Sequence, residues 1–258
     1  MEIKAKKSLG QNFLEDTSIL DRIISSVNVA NNDLIIEIGP GKGALTKRLQ
    51  AFNCDILAFE LDERLHSILD SIADEKTIII FKDFLKTDIK SYIKKNYNNI
   101  HVIANIPYYI THPIIKKLLE SDIKINDITL MVQKEVAERL SASCKSKAYG
   151  SLTIYCNTFY DVKKLFDVSK YCFNPVPKVD SSIIQFQENK DKYDIKNYQK
   201  FEKLVNDSFS QKRKTLRNNL KNYNWEKIEN LLKELGYNDK VRAEELPIEV
   251  FVKISNNM

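Results

Sequence analysis

The sequence predicts an α/β fold in which a mostly parallel sheet has helices on both faces, followed by a small all-α region. Three observations support this prediction. Short apolar runs recur every twenty-odd residues in the first half of the chain, helix-like segments lie between them, and strand-like runs stop after Glu188. Continuous apolar runs, rather than alternating ones, are typical of parallel strands buried on both faces.

Seven runs predict the strands of the sheet, and they comprise residues 34–38, 56–59, 77–81, 102–104, 128–132, 153–155 and 182–186. Helices are expected from near Asp16 and over residues 61–72 and 113–119. Beyond the polar segment 189–193, helical spacing of apolar residues over 201–209 and 225–235 predicts two further helices, the second ending at Gly236. We therefore expect a first domain over residues 1–188 and a helical domain over 189–258.

Composition excludes several classes of protein. No apolar run approaches the ~18 residues that span a bilayer, and the amino terminus has no apolar secretory segment. The four cysteines and three histidines show no metal-ligand spacing, so we expect reduced thiols and no metal. The net charge of +5 permits a polyanionic partner. A cytoplasmic monomer is expected.

Three of the six glycines fall within five residues, directly after the first predicted strand: Gly39, Gly41 and Gly43. Such a loop bends sharply or lets a ligand approach the backbone closely. Glu60 ends the next strand, where a carboxylate can bind the hydroxyls of a ribose. A dinucleotide site is one reading. Alternate glycines after Glu37 favour an S-adenosylmethionine loop, and the sequence offers no hydride-transfer partner at the later strand ends.

A stiff turn, Asn105-Ile106-Pro107-Tyr108, follows the fourth predicted strand. Proline fixes its own φ and keeps the preceding residue out of helical geometry. The turn therefore holds a carboxamide and an aromatic ring side by side, an arrangement suited to a flat base with an exocyclic amine. An ordinary strand-to-helix turn is the alternative.

Six motifs follow one another along the chain: Lys-Ser-Leu-Gly-Gln-Asn-Phe-Leu at residues 7–14, the glycine loop, the Asn-Ile-Pro-Tyr turn, Phe-Asn-Pro-Val-Pro-Lys-Val-Asp-Ser at 173–181, the basic segment 209–220, and Arg-Ala-Glu-Glu-Leu-Pro at 242–247. Together they give the chain a close resemblance to the ribosomal RNA adenine N6-dimethyltransferases of the KsgA type. The resemblance implies a class I methyltransferase fold, Rossmann-like with seven strands, and S-adenosylmethionine as the methyl donor. It also implies a role in ribosome biogenesis. The substrate would be two adjacent adenines in the 3′-terminal hairpin loop of 16S rRNA within the 30S subunit.

The same resemblance assigns roles to individual residues. Asn12 and Leu14 would close over the donor and Gly39 would line its site. Glu60 would hold the ribose and Asp83 the adenine of the donor. Asn105 would contact both donor and target, and the target base would stack on Tyr108, with Phe173 covering its other face. For Phe173 the alternative is a core aromatic, for Glu60 a surface carboxylate, and for Asp83 a turn cap.

A basic cluster in the tail is a candidate RNA contact: Lys212, Arg213, Lys214 and Arg217. We expect Arg213 and Arg217 to share a helix face and the cluster to neutralise phosphates. A solvated surface without a ligand is the alternative. For the whole protein, two rival functions stay open, an Erm-type 23S rRNA methyltransferase and an assembly factor whose binding role outweighs catalysis.

Overall fold

The computed structural model describes residues 3–189 and 192–258, so part of the predicted 189–193 linker lies outside the described residues. The chain divides into two compact units. Unit 1 comprises the described residues of Met1–Ala137 with Lys163–Glu188, and unit 2 those of Glu138–Val162 with Asn189–Met258. One boundary between the units falls after Glu188, and residues 138–162 group with residues 189–258.

A seven-stranded sheet forms the centre of unit 1, and its strand order is β4-β3-β2-β5-β6-β9-β7. The strands, with a two-stranded pair formed by β1 and β8, are β1 (Phe13–Leu14), β2 (Leu34–Ile38), β3 (Asp55–Glu60), β4 (Thr77–Phe81), β5 (Ile100–Asn105), β6 (Asp127–Gln133), β7 (Tyr160–Val168), β8 (Phe173–Asn174) and β9 (Ser181–Glu188). Strands β2 to β6 pair in parallel, and β9 pairs antiparallel with β6. The predicted mostly parallel sheet of seven strands is confirmed.

The strand order reverses between β2 and β5, because the chain runs from β2 outward to β4 and then returns to β5 on the other side. In open α/β sheets, ligands bind at the carboxyl ends of the strands next to such a reversal. Ile38, Glu60 and Asn105 are the last residues of β2, β3 and β5, and they therefore lie at that edge.

The helices are α1 (Thr17–Ser25), α2 (Ala44–Leu49), α3 (His66–Asp70), α4 (Thr111–Leu119), α5 (Lys134–Leu140), α6 (Ser151–Phe159), α7 (Tyr198–Ser208), α8 (Leu216–Asn219), α9 (Trp225–Glu234) and α10 (Ile248–Asn256). Helix α1 starts where predicted because the Asp16 carboxylate accepts the N–H groups of Ser18 and Ile19. Gly236, with φ +81°, follows the end of α9 as predicted. The segment predicted as one helix over 61–72 is a 3₁₀ turn, Glu63–Leu65, followed by the short α3.

One predicted strand is wrong, because residues 153–155 belong to helix α6. Its inward positions include Thr153, Ile154 and Cys156, and a three-residue apolar run cannot distinguish a strand from a buried helix. The Thr153 hydroxyl accepts the Gly150 N–H at 3.2 Å and donates to the Arg139 carbonyl at 2.5 Å, which fixes the start of the helix. The seventh strand of the sheet is instead β7, in a segment for which no strand was predicted.

Unit 2 has its own hydrophobic core, to which α6 contributes Ile154, and Tyr149 also belongs to it. These residues pack with Phe201, Leu204 and Phe251 from the tail helices. This shared core explains why residues 138–162 group with the tail.

Among the described residues, no helix is long and apolar enough to cross a membrane. All four cysteines are free thiols.

Candidate active site

A pocket opens at the carboxyl edge of β2, β3 and β5, and we call it the strand-end pocket. It is lined by side chains and backbone from the amino-terminal segment, the glycine loop and the ends of these strands. Its lining includes these predicted site residues: Asn12, Gly39, Glu60, Asp83, Asn105, Tyr108 and Phe173. The sequence placed them at separate strand ends and loops, and the parallel sheet brings them together.

The glycine loop adopts left-handed backbone geometry at all three glycines, with φ of +71° at Gly39, +60° at Gly41 and +76° at Gly43. Side chains rarely adopt this geometry. At Gly41 an added Cβ would also lie 3.1 Å from the Phe13 ring, and at Gly43 it would lie 1.9 Å from Ile72 Cδ1. The loop therefore needs glycine both for its bend and for the close approach of its neighbours.

Glu37, at the head of this loop, is 1% exposed and does not line the strand-end pocket. Its carboxyl accepts the Thr46 hydroxyl at 2.7 Å. Burial raises the pKa of Glu37 to about 8, against the effect of that hydrogen bond. This hydrogen bond connects strand β2 to helix α2.

Glu60 is 5% exposed, and its carboxylate is oriented by three backbone N–H groups. Oε1 accepts from Leu61 and Asp62 at 2.9 and 2.8 Å, and Oε2 accepts from Gly41 at 3.0 Å. Burial raises the pKa of Glu60, and these donors partly offset that effect. Oε2 retains a lone pair that can accept a hydroxyl of a ligand in the pocket.

The amino-terminal segment is tied to the same strand end. Gln11 Nε2 donates to Asp62 Oδ2 at 2.8 Å, and Asn12 Nδ2 donates to the Gly10 carbonyl at 3.2 Å. Leu14 does not line the strand-end pocket. It is 5% exposed, and in the short β1–β8 pair it lies opposite Phe173.

Asp83 lies two residues past the end of β4, at the wall of the strand-end pocket. Its Oδ1 accepts the Leu85 N–H at 2.9 Å and so caps the following 3₁₀ turn. The capping role considered as an alternative is therefore present, and the side chain also faces the pocket wall.

The Asn105–Tyr108 turn is held from both ends. Asn105 closes β5 opposite Met131 of β6, and Pro107 has φ −61° at the start of the 3₁₀ turn Tyr108–Ile110. The Tyr108 hydroxyl lies 2.7 Å from Ser181 Oγ. Burial raises the pKa of Tyr108, so its hydroxyl remains protonated at neutral pH. Within residues 3–189 and 192–258, the Asn105 carboxamide makes no side-chain hydrogen bond and is available to a ligand.

Phe173 lies both in the hydrophobic core and at the strand-end pocket, and its contact with a target base remains a prediction. Its ring is 3% exposed and belongs to the hydrophobic core of unit 1, yet it also lines the strand-end pocket. Because the ring packs among core residues, its orientation at the pocket is restricted.

The predicted basic cluster lies in unit 2. Lys212, Arg213, Lys214 and Arg217 are all exposed. The expectation that Arg213 and Arg217 share a helix face is wrong, because α8 begins only at Leu216 and residues 211–214 form a turn. Thr215 caps α8 with its side chain, which ends any continuous helix across the cluster. Lys212 Nζ donates to the Lys147 carbonyl, and Arg217 lies 5.8 Å from the Trp225 ring centroid.

Two residues of the site were missed by sequence reasoning. Ser181, the partner of Tyr108, is 0% exposed. It is the last residue of the motif at 173–181, and the sequence assigned it no role. Phe13, which packs against Gly41, belongs to the amino-terminal motif, and the sequence assigned it no role. Contacts between residues so far apart in the chain leave no signal in one sequence.

No group of three or more histidine, cysteine, aspartate or glutamate side chains in the described part of the chain is arranged to hold a metal ion. The expected absence of a metal remains a prediction.

Comparison with known proteins identifies the family. The model for ribosomal RNA adenine dimethylase matches residues 2–258. Ribosomal RNA small subunit methyltransferase A of Lactobacillus helveticus is 43% identical over 270 residues, which cover 99% of this chain and 92% of that protein.

Solved structures agree. A dimethyladenosine transferase from Plasmodium falciparum has a TM-score of 0.81 and 28% identity, covering 94% of this chain and 95% of its own. The 23S rRNA methyltransferase ErmE, with a TM-score of 0.73 and 22% identity over 95% of this chain and 99% of its own, shares the fold. The chain therefore belongs to the ribosomal RNA adenine dimethylase family, whose members methylate adenine in ribosomal RNA.

Proposed function

We propose that the protein transfers four methyl groups from S-adenosylmethionine to the N6 atoms of two adjacent adenines in the 3′-terminal hairpin loop of 16S rRNA, within the 30S particle. It would act in the cytoplasm as a monomer and contribute to small-subunit biogenesis. The observation that carries this proposal is the Asn105 carboxamide, which lies without a side-chain hydrogen bond in the described structure at the wall of the strand-end pocket, beside Glu60 and Tyr108.

The residues of the strand-end pocket fit S-adenosylmethionine, which when bound supplies an electrophilic methyl group. Three backbone N–H groups orient the Glu60 carboxylate, and its Oε2 can still accept a hydrogen bond from a ribose hydroxyl. Asp83 and the apolar side chains of Ile38 and Phe84 line the space in which an adenine would lie. Gly39 leaves the loop backbone open to a ligand, because only the Asn105 carbonyl lies within 4 Å of the position of an added Cβ.

The target amine needs two acceptors, because its nitrogen lone pair is delocalised into the ring. Asn105 Oδ1 is one. The Pro107 carbonyl already accepts the Ile110 N–H at 3.2 Å, so the Ile106 carbonyl is the better second acceptor. Two such hydrogen bonds would localise the lone pair and orient it. Fixed alignment of this kind can supply ~7–11 kcal/mol of the barrier.

The aromatic rings would hold the base. Stacking is worth ~1–3 kcal/mol per base, so Tyr108 on one face of the base and Phe173 on the other would offset part of the cost of unstacking the target. No general base is required, because the nitrogen becomes strongly acidic once it is alkylated. The proton would leave to solvent.

Incubation with tritiated S-adenosylmethionine and undermethylated 30S particles, followed by mapping of the label, tests the proposal. We expect dimethylation of two adjacent adenines near the 3′ end of 16S rRNA. Label in naked 23S RNA, and none in 30S particles, would support the Erm-type alternative instead. Calorimetric titration should show binding of S-adenosylmethionine and none of NAD.

The assembly-factor alternative is tested in cells. An Asn105→Ala strain retains the protein but should lack methylation. If its growth and subunit maturation match those of a deletion strain, the binding role has no weight separate from catalysis.

A further inference from the structure

A second pocket adjoins the strand-end pocket, and we call it the α2 pocket because α2 forms one side of it. Asn12, Phe13 and Asn105 line both pockets and so form the wall between them. The other residues of its lining come from the amino-terminal segment, the glycine loop, α1 and α2. Nothing in the function proposed above uses it.

Basic side chains from the glycine loop and from α2 line this pocket: Lys42, Lys47 and Arg48. Lys42 Nζ lies 4.8 Å from the centroid of the Phe13 ring, so the ammonium is held against the shared wall. Within residues 3–189 and 192–258, neither Lys42 nor Lys47 forms an ion pair. The two lysines therefore present positive charge without a carboxylate partner.

Few acidic side chains offset the positive charge of the α2 pocket. Arg48 is bound to Asp21, with Nε 2.9 Å from Oδ1, and is partly neutralised. Glu15 also lines the α2 pocket, and its Oε1 accepts the Asn174 amide at 3.2 Å. The lining is thus net positive, with apolar walls from Leu14, Leu20 and Leu45.

We propose that the α2 pocket is a nucleotide subsite that binds the single-stranded RNA adjoining the target adenine, with Lys42 and Lys47 contacting its phosphates. The inference rests on the proposed function, because it assumes that the target base lies in the strand-end pocket beside Asn105. A strand that delivers a base to Asn105 must continue past the wall. The α2 pocket offers that path both positive charge and apolar surface for a base.

The test compares Lys42→Ala/Lys47→Ala with a matched control, Lys90→Ala/Lys116→Ala. The control removes the same charge from a groove of unit 1 whose lining also includes Asp88, Glu120 and Asp122. Direct binding of the RNA hairpin is measured by filter retention over a range of salt. For single strands the slope of log K against log salt changes by ~0.7 per phosphate contact, so the Lys42/Lys47 variant should be shallower by about 1.4.

Kinetics provide a second readout. We expect the KM for RNA to rise about tenfold in the Lys42/Lys47 variant, with kcat and the Kd of the methyl donor within about twofold of wild type. Glu15→Gln should act in the opposite direction and lower the KM for RNA. A disturbance of the structure alone would not raise the KM for RNA in one variant and lower it in the other.

A salt slope in the Lys42/Lys47 variant equal to that of the control would overturn the subsite. So would a large loss of donor binding, which would show that Lys42 shapes the donor loop instead. Failure of the proposed function is seen separately, as absence of label in the 30S adenines with the wild-type protein. The filter assay still decides the subsite in that case, because it does not depend on methyl transfer.

Discussion

The Tyr108 hydroxyl and Ser181 Oγ lie 2.7 Å apart, although 73 residues separate them in the chain. Ser181 is the first residue of β9 and pairs with Gln133 of β6, and it is fully buried. The orientation of the ring proposed to stack on the target base therefore depends on the antiparallel strand at the other side of the sheet. We regard Ser181 as a positioning residue, since it would act through Tyr108.

Removal of either partner of this hydrogen bond should slow methyl transfer by a similar factor. A hydrogen bond contributes ~1 kcal/mol, or about a fivefold change, so Ser181→Ala and Tyr108→Phe should each lower kcat about fivefold. The double variant should be no slower than either single variant. Ser182→Ala is the matched control, because its hydroxyl bonds Asp167 and not the site. If the loss of kcat in the double variant equals the product of the two single losses, the two hydroxyls do not act through one hydrogen bond.

Tyr108→Ala should abolish methyl transfer while leaving donor affinity nearly unchanged. The ring is proposed to stack on the target base, whereas the donor is held by Glu60 and its neighbours on β3. Single-turnover transfer and calorimetric titration of S-adenosylmethionine measure the two effects separately. A large loss of donor binding would contradict the assignment of Tyr108 to the substrate.

The buried His101 should make the stability of the protein depend on pH. Its Nδ1 lies 2.6 Å from Asp127 Oδ2 and its Nε2 lies 3.1 Å from Asp33 Oδ2, and its side chain is 3% exposed. Burial by itself lowers the pKa of His101, but hydrogen bonds and charge from Asp127 and Asp33 outweigh it and raise the pKa above 6.5.

Because the folded-state pKa of His101 is raised, its stabilising contribution is complete below pH 6.5 and is lost as the pH rises through the folded-state value. We expect the midpoint of urea unfolding to fall over that range. His101→Asn should lose about 3–5 kcal/mol, since two carboxylates remain buried without a cation, and should lack this pH dependence. A wild-type midpoint that is flat or rises above pH 6.5 would show that the histidine is not charged in the fold.

The basic cluster of unit 2 can be tested by changing Lys212, Arg213 and Lys214 together to alanine. If the cluster contacts phosphates, RNA binding should weaken and its salt dependence should become shallower. Three exposed lysines elsewhere in unit 2, Lys200, Lys227 and Lys240, are the matched control when changed to alanine. A salt slope equal to that of the control would mean that the cluster is only a solvated surface.

Much of the fold followed from local patterns. Strands β2 to β6 are short continuous apolar runs between helix-like segments, and this pattern has few other structural solutions. The prediction was wrong where the apolar run was short. The run at 153–155 lies in helix α6, because three residues do not reveal a period.

The position of the candidate site in the fold followed from the predicted strand ends, whereas the roles of its residues remain predictions. Gly39, Glu60 and Asn105 were each assigned to the end of a predicted strand, and the carboxyl ends of parallel strands meet at one sheet edge. The turn at 211–214, which separates Arg213 from α8, was not foreseen, because the basic residues themselves permit a helix and the Thr215 cap decides against it.

The sequence by itself determined the parallel sheet, the glycine loop and the family, because each depends on residues close together in the chain or on several motifs in a fixed order. Only the tertiary structure decided that Tyr108 bonds Ser181, that Phe13 packs against Gly41 and stands between two pockets, and that residues 138–162 share a core with the tail. These are contacts between distant segments. They depend on how strands and loops are placed in three dimensions, a placement that no local pattern of residue types specifies.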